Sequence, residues 1–161
     1  MSGRVIDPDL DADQFLGRLP PMVLSELWPG FVAQDLDIWM NPVYLRRHLA
    51  SRQADYVERL ALFNQHAETL VGLVERAFAI VRYDHVPVGQ AGLTALVGLG
   101  RDANGAPSFM AVGLRILPAQ ASGKRNHVTT IMWFGEAKVR RLLERSPHVL
   151  LRAPDSGVDR A

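Results

Sequence analysis

Proton-transfer and anion-binding side chains are concentrated in one stretch, residues 41–55, which reads NPVYLRRHLASRQAD. Histidine titrates near neutral pH, and the guanidinium group of arginine binds a phosphate through two parallel hydrogen bonds. RNA cleavage by the RNA's own 2′-hydroxyl needs such groups. A base removes the 2′ proton, an acid protonates the leaving 5′ oxygen, and cations stabilise the charged phosphorane. The stretch is therefore a candidate for one wall of such a site.

A helix is predicted to begin at Asn41-Pro42 and to run to about Ala50. The side chain of Asn41 accepts hydrogen bonds from the unpaired first amides of a helix, and Pro42 has the helical φ already set. Leu45 and Leu49 are four residues apart. They share one side of the helix and are the positions expected to anchor it.

Another side of this helix would bring the candidate groups together. Tyr44, His48 and Arg52 recur every four residues, and Arg47 and Ser51 flank them. Basic side chains on a short exposed helix are also commonly no more than a solvated face. The pattern alone leaves both interpretations open, because composition does not reveal a perturbed pKa.

The segment from His127 to Phe134 is the candidate for a second wall. It is rich in β-branched and aromatic residues, which predicts a strand. His127 fits a strand-edge histidine and a functional histidine equally well, and Trp133 fits a core position better than a platform for stacking bases. The preceding loop holds Lys124 and Arg125, which either bind phosphate or are simply solvated.

Hydrophobic periodicity predicts an α+β fold, in which N-terminal helices pack on a four-stranded antiparallel β-sheet meander and a short C-terminal helix follows. Residues 1–13 are predicted to be a flexible arm, 14–152 a single domain and 153–161 a disordered tail. Besides the helix from residue 42, helices are predicted at 21–28, at 53–77 with a kink at Gly72, and at 136–144. Strands are predicted at 35–40, 79–83, 93–99, 107–117 and 127–134, with an edge strand at 148–151.

Composition and charge exclude several classes of protein. The chain has 161 residues, of which 48% are hydrophobic and 22% charged, enough for one domain with its own core. A net charge of +1 is too small for a protein that coats nucleic acid, so any such contact should be a local basic patch. The chain has no cysteine, which excludes thiolate catalysis and zinc–thiolate sites.

The sequence lacks the patterns of a metal site, a signal peptide and a membrane-spanning segment. No histidine pair has the spacing of a metal-binding helix, and we expect neither a metal nor a cofactor. The N-terminus has no apolar region typical of a signal peptide, and no run is long enough to span a membrane. These features predict a protein that is made and kept in the cytoplasm without membrane contact, unless a specialised machine exports it.

The order of these elements, with the motifs Val43–His48 plus Arg52 and His127–Phe134, resembles the phage-associated nuclease domains of the barnase/EndoU/colicin/RelE-like superfamily. The resemblance covers about Leu19 to Arg152. It implies metal-independent endoribonuclease activity of prophage or toxin type, leaving a cyclic phosphate, on an antiparallel sheet with helices on one side. The partners it suggests are an RNA substrate, phage head or portal proteins, and an immunity protein, and it allows association with a virion.

The resemblance also assigns roles to single residues. His48 would be the general base or acid, and His127 would act as the second proton carrier. Asn41 stands where such domains often have Ser, and both residues cap helices. The predicted catalytic residues are His48, Arg52, His127 and Thr130. The predicted substrate contacts are Tyr44, Arg47, Ser51, Lys124, Arg125 and Thr129.

Two alternatives to a ribonuclease remain at this point. One is a non-catalytic phage morphogenesis or accessory protein on the same scaffold. The other is an RNA-binding or protein-interaction module without turnover, which would normally show a more basic surface. A ribonuclease requires His48, Arg52 and a strand threonine to lie side by side in a concave basic site, whereas an accessory protein does not.

Overall fold

The computed structural model describes residues 12–50, 56–66, 70–121 and 123–152. The predicted arm and tail lie mostly outside these ranges. The described residues form twelve elements in the order β1 (Gln14–Arg18), α1 (Pro21–Leu27), β2 (Asp37–Met40), α2 (Pro42–Ala50), α3 (Tyr56–Gln65), α4 (Leu73–Arg76), β3 (Ala79–Tyr83), β4 (Ala91–Arg101), β5 (Pro107–Ile116), β6 (His127–Gly135), α5 (Glu136–Arg145) and β7 (His148–Leu150).

The strands form one seven-stranded mixed sheet in the order β1-β2-β6-β5-β4-β3-β7. All neighbouring strands are antiparallel except β2 and β6, which run parallel and meet at one residue pair, Trp39 and His127. The predicted α+β fold, with N-terminal helices on a four-stranded antiparallel meander, is therefore wrong. The strands predicted between residues 79 and 134 do form, but they are only four of the seven.

The N-terminal strand β1 was not predicted, because its pattern is irregular. Its pairing with β2 shifts between Phe15 and Gly17, so the strand lacks the simple alternation that indicates a sheet. Gly17 has φ 131°, and a Cβ there would lie 2.9 Å from Cβ of Val74 in α4. Glycine is needed here both for the positive φ and for the close approach of α4.

Two hydrophobic clusters lie on opposite faces of the sheet. The larger cluster joins α1, α2 and α4 to the inward residues of the strands, such as Leu93, Val112 and Ile131. The smaller cluster lies under α5, where Val139 packs with Phe109 and Phe134. Helices therefore cover parts of both faces, unlike the one-sided arrangement that the resemblance implies.

Of the helix predicted from 53 to 77, the described residues form α3, a helical stretch at residues 70–71 and α4. Gly72, where a kink was predicted, has φ −106° and ψ 32° and precedes the first residue of α4. These angles depart from those of an α-helix, and glycine accepts such departures more readily than other residues. α3 contacts β6, while α4 contacts β1 and β4.

The buried side chain of Asn126 ties the N-terminal strands to the meander. Its Oδ1 accepts a hydrogen bond from the Leu117 amide at 2.8 Å, and its Nδ2 donates to the carbonyls of Asp35 and Asp37 at 2.9 and 3.0 Å. The backbone carbonyl of Asn126 accepts a hydrogen bond from the backbone amide of Trp39 at 3.0 Å. Asn126 is fully buried, and these bonds satisfy the polar atoms that burial removes from water.

Candidate functional site: a cleft on the open part of the sheet

α2 begins and is anchored as the sequence predicts. The amide of Tyr44 donates to Oδ1 of Asn41 at 2.9 Å, which is the expected N-terminal cap. Leu45 and Leu49 are buried in the larger cluster. The rings of Tyr44 and His48 stack on each other with centroids 5.8 Å apart. Because α2 contacts β6, this face of the helix lies beside the sheet.

A bulge in β6 turns two threonines toward the same side. The pairing of β5 with β6 passes from Gly113–Thr130 directly to Leu114–Val128, which leaves Thr129 as an extra residue. A Cβ on Gly113 would lie 2.8 Å from Cγ2 of Thr130 and 3.0 Å from Oγ1 of Thr129. Both threonine side chains therefore lean over Gly113, and the absence of a side chain there makes room for them.

These residues border a cleft of about 250 Å³ on the same face of the sheet as α5, over the part of that face that α5 does not cover. On one side lie His48 of α2 and Arg59 of α3, and on the other lie Tyr83, the last residue of β3, and His85 of the following loop. The floor is formed by β4, β5 and β6. We call this surface the histidine cleft; its polar lining residues are His48, Arg59, Tyr83, His85, Thr94, Arg115, Thr129 and Thr130.

Two guanidinium groups belong to the histidine cleft. Nη1 of Arg59 donates to Oγ1 of Thr130 at 2.8 Å, which fixes the arginine against the bulge of β6. Nη1 of Arg115 donates to Oε1 of Gln90 at 3.3 Å. The buried Nε of Arg115 has no hydrogen-bond partner within the described parts of the chain. A buried donor without a partner is costly, and the guanidinium of Arg115 adds a positive charge to the lining of the cleft.

His127 lies next to the cleft rather than among its lining residues. Its ring meets the ring of Tyr44 edge-on at 5.7 Å, and it stands opposite Arg115 in the β5–β6 register. Nδ1 lies 2.8 Å from the carbonyl of Arg125. A carbonyl only accepts, so Nδ1 carries the proton and the neutral ring keeps its lone pair on Nε2.

Burial lowers the pKa of His127, and the positive charges of Arg115 and Lys124 lower this pKa further. The hydrogen bond with the carbonyl of Arg125 and the charge of Asp13 act in the opposite direction, but they do not reverse the shift. His127 is therefore neutral at pH 7 more completely than an unperturbed histidine.

Replacing His127 with asparagine should weaken the acid sensitivity of the fold. The folded-state pKa lies below the unfolded value of about 6.5, so the unfolded chain binds more protons as the pH falls through this window. The contribution to stability is thus present above the unfolded pKa and is lost as the pH falls through the folded pKa. We expect Tm to drop less between pH 7.5 and 5.5 in His127→Asn than in the wild type.

Burial also lowers the pKa of His66, which should add a similar slope to both proteins and cancel in the comparison. Asparagine retains a donor for the carbonyl of Arg125, so the comparison isolates titration from the loss of a hydrogen bond. Equal drops in Tm for the two proteins would contradict the expectation.

Replacing Gly113 with alanine should destabilise the fold by about 1–3 kcal/mol, because the added Cβ would overpack the contact with the two threonines. Urea denaturation would measure the loss. Adding Thr130→Ser to Gly113→Ala removes Cγ2, the closest atom, while keeping the hydroxyl that binds Arg59. The double variant should recover part of the lost stability, and no recovery would show that the clash is not the cause.

The other predicted site residues are placed less favourably. Arg47 is exposed and does not line the cleft. The guanidinium of Arg125 lies 3.9 Å from the ring centroid of Trp39 and forms an ion pair with Asp13 at 3.5 Å. Lys124 is exposed in the same loop, and its carbonyl accepts from Gln34. Ser51 and Arg52 lie outside the described residues.

Several lining residues were not singled out from the sequence. Arg115 had a recognisable signal, because it ends a strand face that otherwise carries Phe109, Ala111 and Gly113. A charged residue in such a series is unusual where the face is buried. Arg59 was assigned only to the polar side of a helix, and nothing in its local sequence distinguishes His85 within a loop.

Comparisons with known proteins give no information about this site. No protein-family model matches the chain, and neither a curated protein nor a solved structure matches it. Within the described residues, no helix is both long enough and apolar enough to cross a membrane.

Proposed function

We propose that the protein is a metal-independent endoribonuclease whose active site is the histidine cleft. The observation that supports this most strongly is the convergence of two histidines, two arginines and the threonine pair on one concave surface. The proposal is based on the cleft and not on the family resemblance, because the mixed sheet differs from the antiparallel sheet that the resemblance implies.

The two histidines are suited to the two proton transfers of RNA cleavage. His48 and His85 line the cleft from opposite sides, so a phosphodiester between them would have a proton carrier on each side. One histidine takes the proton of the 2′-hydroxyl, whose oxygen then bonds to phosphorus. The other gives a proton to the 5′ oxygen as its bond to phosphorus breaks, and the products are a 2′,3′-cyclic phosphate and a 5′-hydroxyl.

The two arginines are suited to hold the phosphate and to stabilise the phosphorane. Arg59 is fixed by its bond to Thr130, and a fixed cation stabilises developing charge without reorganising during the reaction. Arg115 adds a second guanidinium to the lining of the cleft. In this assignment His85 takes the role of second proton carrier that the resemblance assigns to His127, and His127 positions Tyr44 through the contact of their rings.

The test is to incubate the purified protein with single-stranded RNA in excess EDTA and to analyse the ends of the products. We expect cleavage that EDTA does not inhibit and that leaves 2′,3′-cyclic phosphates. The matched control is the same oligonucleotide with 2′-O-methyl groups, which lacks the nucleophile and should stay intact. Intact RNA at all protein concentrations would contradict the proposal and favour the accessory-protein alternative.

A further inference from the structure

A second concave surface adjoins the histidine cleft and shares Arg59 with it. This groove of about 520 Å³ lies between α3 on one side and the end of β6 with the start of α5 on the other. We call it the α3 groove; the lining residues that matter here are Glu58, Arg59, Trp133, Phe134 and Lys138. Because Arg59 lines both surfaces, a ligand that occupies one can continue directly into the other.

We propose that the α3 groove binds a nucleotide next to the scissile phosphate, with its base stacked on Trp133. This inference rests on the proposed function, since it places a neighbouring part of the same RNA. Trp133 is 53% exposed, and at this position β6 pairs with β5 on one side, while its pairing with β2 is confined to His127 at the other end of the strand. The flat, sequence-tolerant surface of an aromatic ring is the usual platform for an unpaired base.

The size of the groove fits a nucleotide. Pockets for small organic ligands usually measure about 300–1,000 Å³ and combine an apolar lining with a few polar groups. Trp133 and Phe134 supply the apolar part, and Arg59 and Lys138 supply cations. The volume of about 520 Å³ therefore suits a single nucleotide better than a whole helix or a folded partner.

The charges around the groove favour a polyanion. Nζ of Lys138 lies 4.3 Å from the ring centroid of Phe134, which places a cation at the groove. Beyond the groove, α5 also carries three exposed arginines, Arg140, Arg141 and Arg145, and it contains two acidic residues. Among the described lining residues Glu58 is the one acidic group, so the cations predominate on the side of α5.

The trace of the RNA follows from these positions. The scissile phosphate lies in the histidine cleft between His48 and His85. The next phosphate meets Arg59 or Lys138, and the attached base covers the indole of Trp133. Because stacking is the recognition element, the groove should accept all four bases with little preference.

The test measures binding rather than cleavage, so that its failure is distinct from failure of the proposed function. The probe is a fluorescein-labelled 2′-O-methyl RNA oligonucleotide, which the proposed reaction does not cleave, and the readout is fluorescence anisotropy. Trp133→Ala should raise Kd by roughly 5- to 150-fold, the range for loss of one base–aromatic stack. Trp133→Phe should retain part of the affinity.

Two further variants keep the test decisive. Ala61→Trp fills the groove from the exposed side of α3 without changing Trp133, and it should also weaken binding. Lys138→Ala and Arg145→Ala remove the same charge from α5, but Arg145 does not line the groove as Lys138 does, so Lys138→Ala should weaken binding more. Circular dichroism would verify that each variant is folded.

The inference is overturned if Trp133→Ala and Ala61→Trp bind the oligonucleotide as tightly as the wild type does, even where RNA is cleaved. Equal weakening by Lys138→Ala and Arg145→Ala, with no effect of Trp133→Ala, would also overturn it in favour of general electrostatic attraction. A groove that serves a protein partner would give the first of these results. A wild type that does not bind the oligonucleotide at all would overturn it too.

Discussion

Replacing His48 with alanine should slow RNA cleavage by about 10²–10⁴-fold, the usual loss when a general acid or base is removed. The fold should survive, because His48 lies on the cleft side of α2, whereas Leu45 and Leu49 anchor the helix. The effect should appear mainly in kcat, since proton transfer takes place in the transition state while phosphate binding depends on the arginines.

The pH dependence identifies the role of His48. The wild type should show a bell-shaped profile of kcat/KM, because one histidine must be neutral and the other protonated. Loss of one limb of the bell in His48→Ala would identify His48 as one of these two groups. The double variant of His48→Ala with His85→Ala should be scarcely slower than either single variant, because the two groups act as a unit.

His66→Ala is the matched control for His48→Ala. His66 follows α3 and does not line the histidine cleft, so its removal should leave the cleavage rate unchanged. Equal activity of His48→Ala and the wild type would refute the assignment. A similar loss in His66→Ala would indicate a contaminating nuclease or a general defect in folding.

Replacing Asn126 with alanine should lower the free energy of unfolding by about 3 kcal/mol or more. The substitution leaves the amide of Leu117 and the carbonyls of Asp35 and Asp37 without their partner, and each unsatisfied buried group costs about 1–3 kcal/mol. For a chain of this size the loss corresponds to a fall in Tm of roughly 6–12 °C. Urea or thermal denaturation would measure it.

The control for Asn126→Ala is Asn104→Ala, in the exposed turn between β4 and β5. The backbone amide of Asn104 is the group used there, as a donor to Asp102 at 2.8 Å, so the change should stay within about 0.5 kcal/mol. If Asn126→Ala were as stable as Asn104→Ala, the bonds of Asn126 would not hold the two parts of the sheet together.

Local features were predicted well where a few neighbouring residues determine them. The first residues of α2 depend on Asn41 and Pro42 alone, and the structure confirms both the beginning of the helix and its buried leucines. The strands of the meander follow from alternation or from β-branched runs bounded by turns. His48 and the threonines of β6 lie on one concave surface, as expected for a ribonuclease, whereas Arg52, the third group of that expectation, lies outside the described residues.

The errors concern contacts between distant parts of the chain. The pair Trp39–His127 joins residues that lie far apart in sequence, and no local pattern indicates that a short segment pairs with a strand so remote. The same holds for β1, whose bulge removes the alternation, and for β7, which pairs with β3. Once these strands are added, a four-stranded antiparallel sheet becomes a mixed sheet of seven strands.

The site was predicted incompletely for a related reason. His85 and Arg115 come from different elements, and only the twist and register of the sheet bring them near His48. Conversely, Lys124 and Arg125 form a basic pair in sequence, but the side chain of Arg125 is engaged with Trp39 and Asp13. Clustering along the chain is therefore a weaker guide to a site than position on a shared face.

Because β2 and β6 share a single residue pair, the sheet consists of two parts that differ in their stability against local opening. From β6 to β3 each strand is held by a long ladder, whereas β2 meets β6 at Trp39–His127 and is supported there by the bonds of Asn126. Amide protons of β1 and β2 should thus exchange with solvent through a local opening, while those of β4 and β5 await global unfolding. The same opening would carry α2 and His48 away from the cleft floor, so the chain could lose its cleft geometry while most of its sheet stays intact.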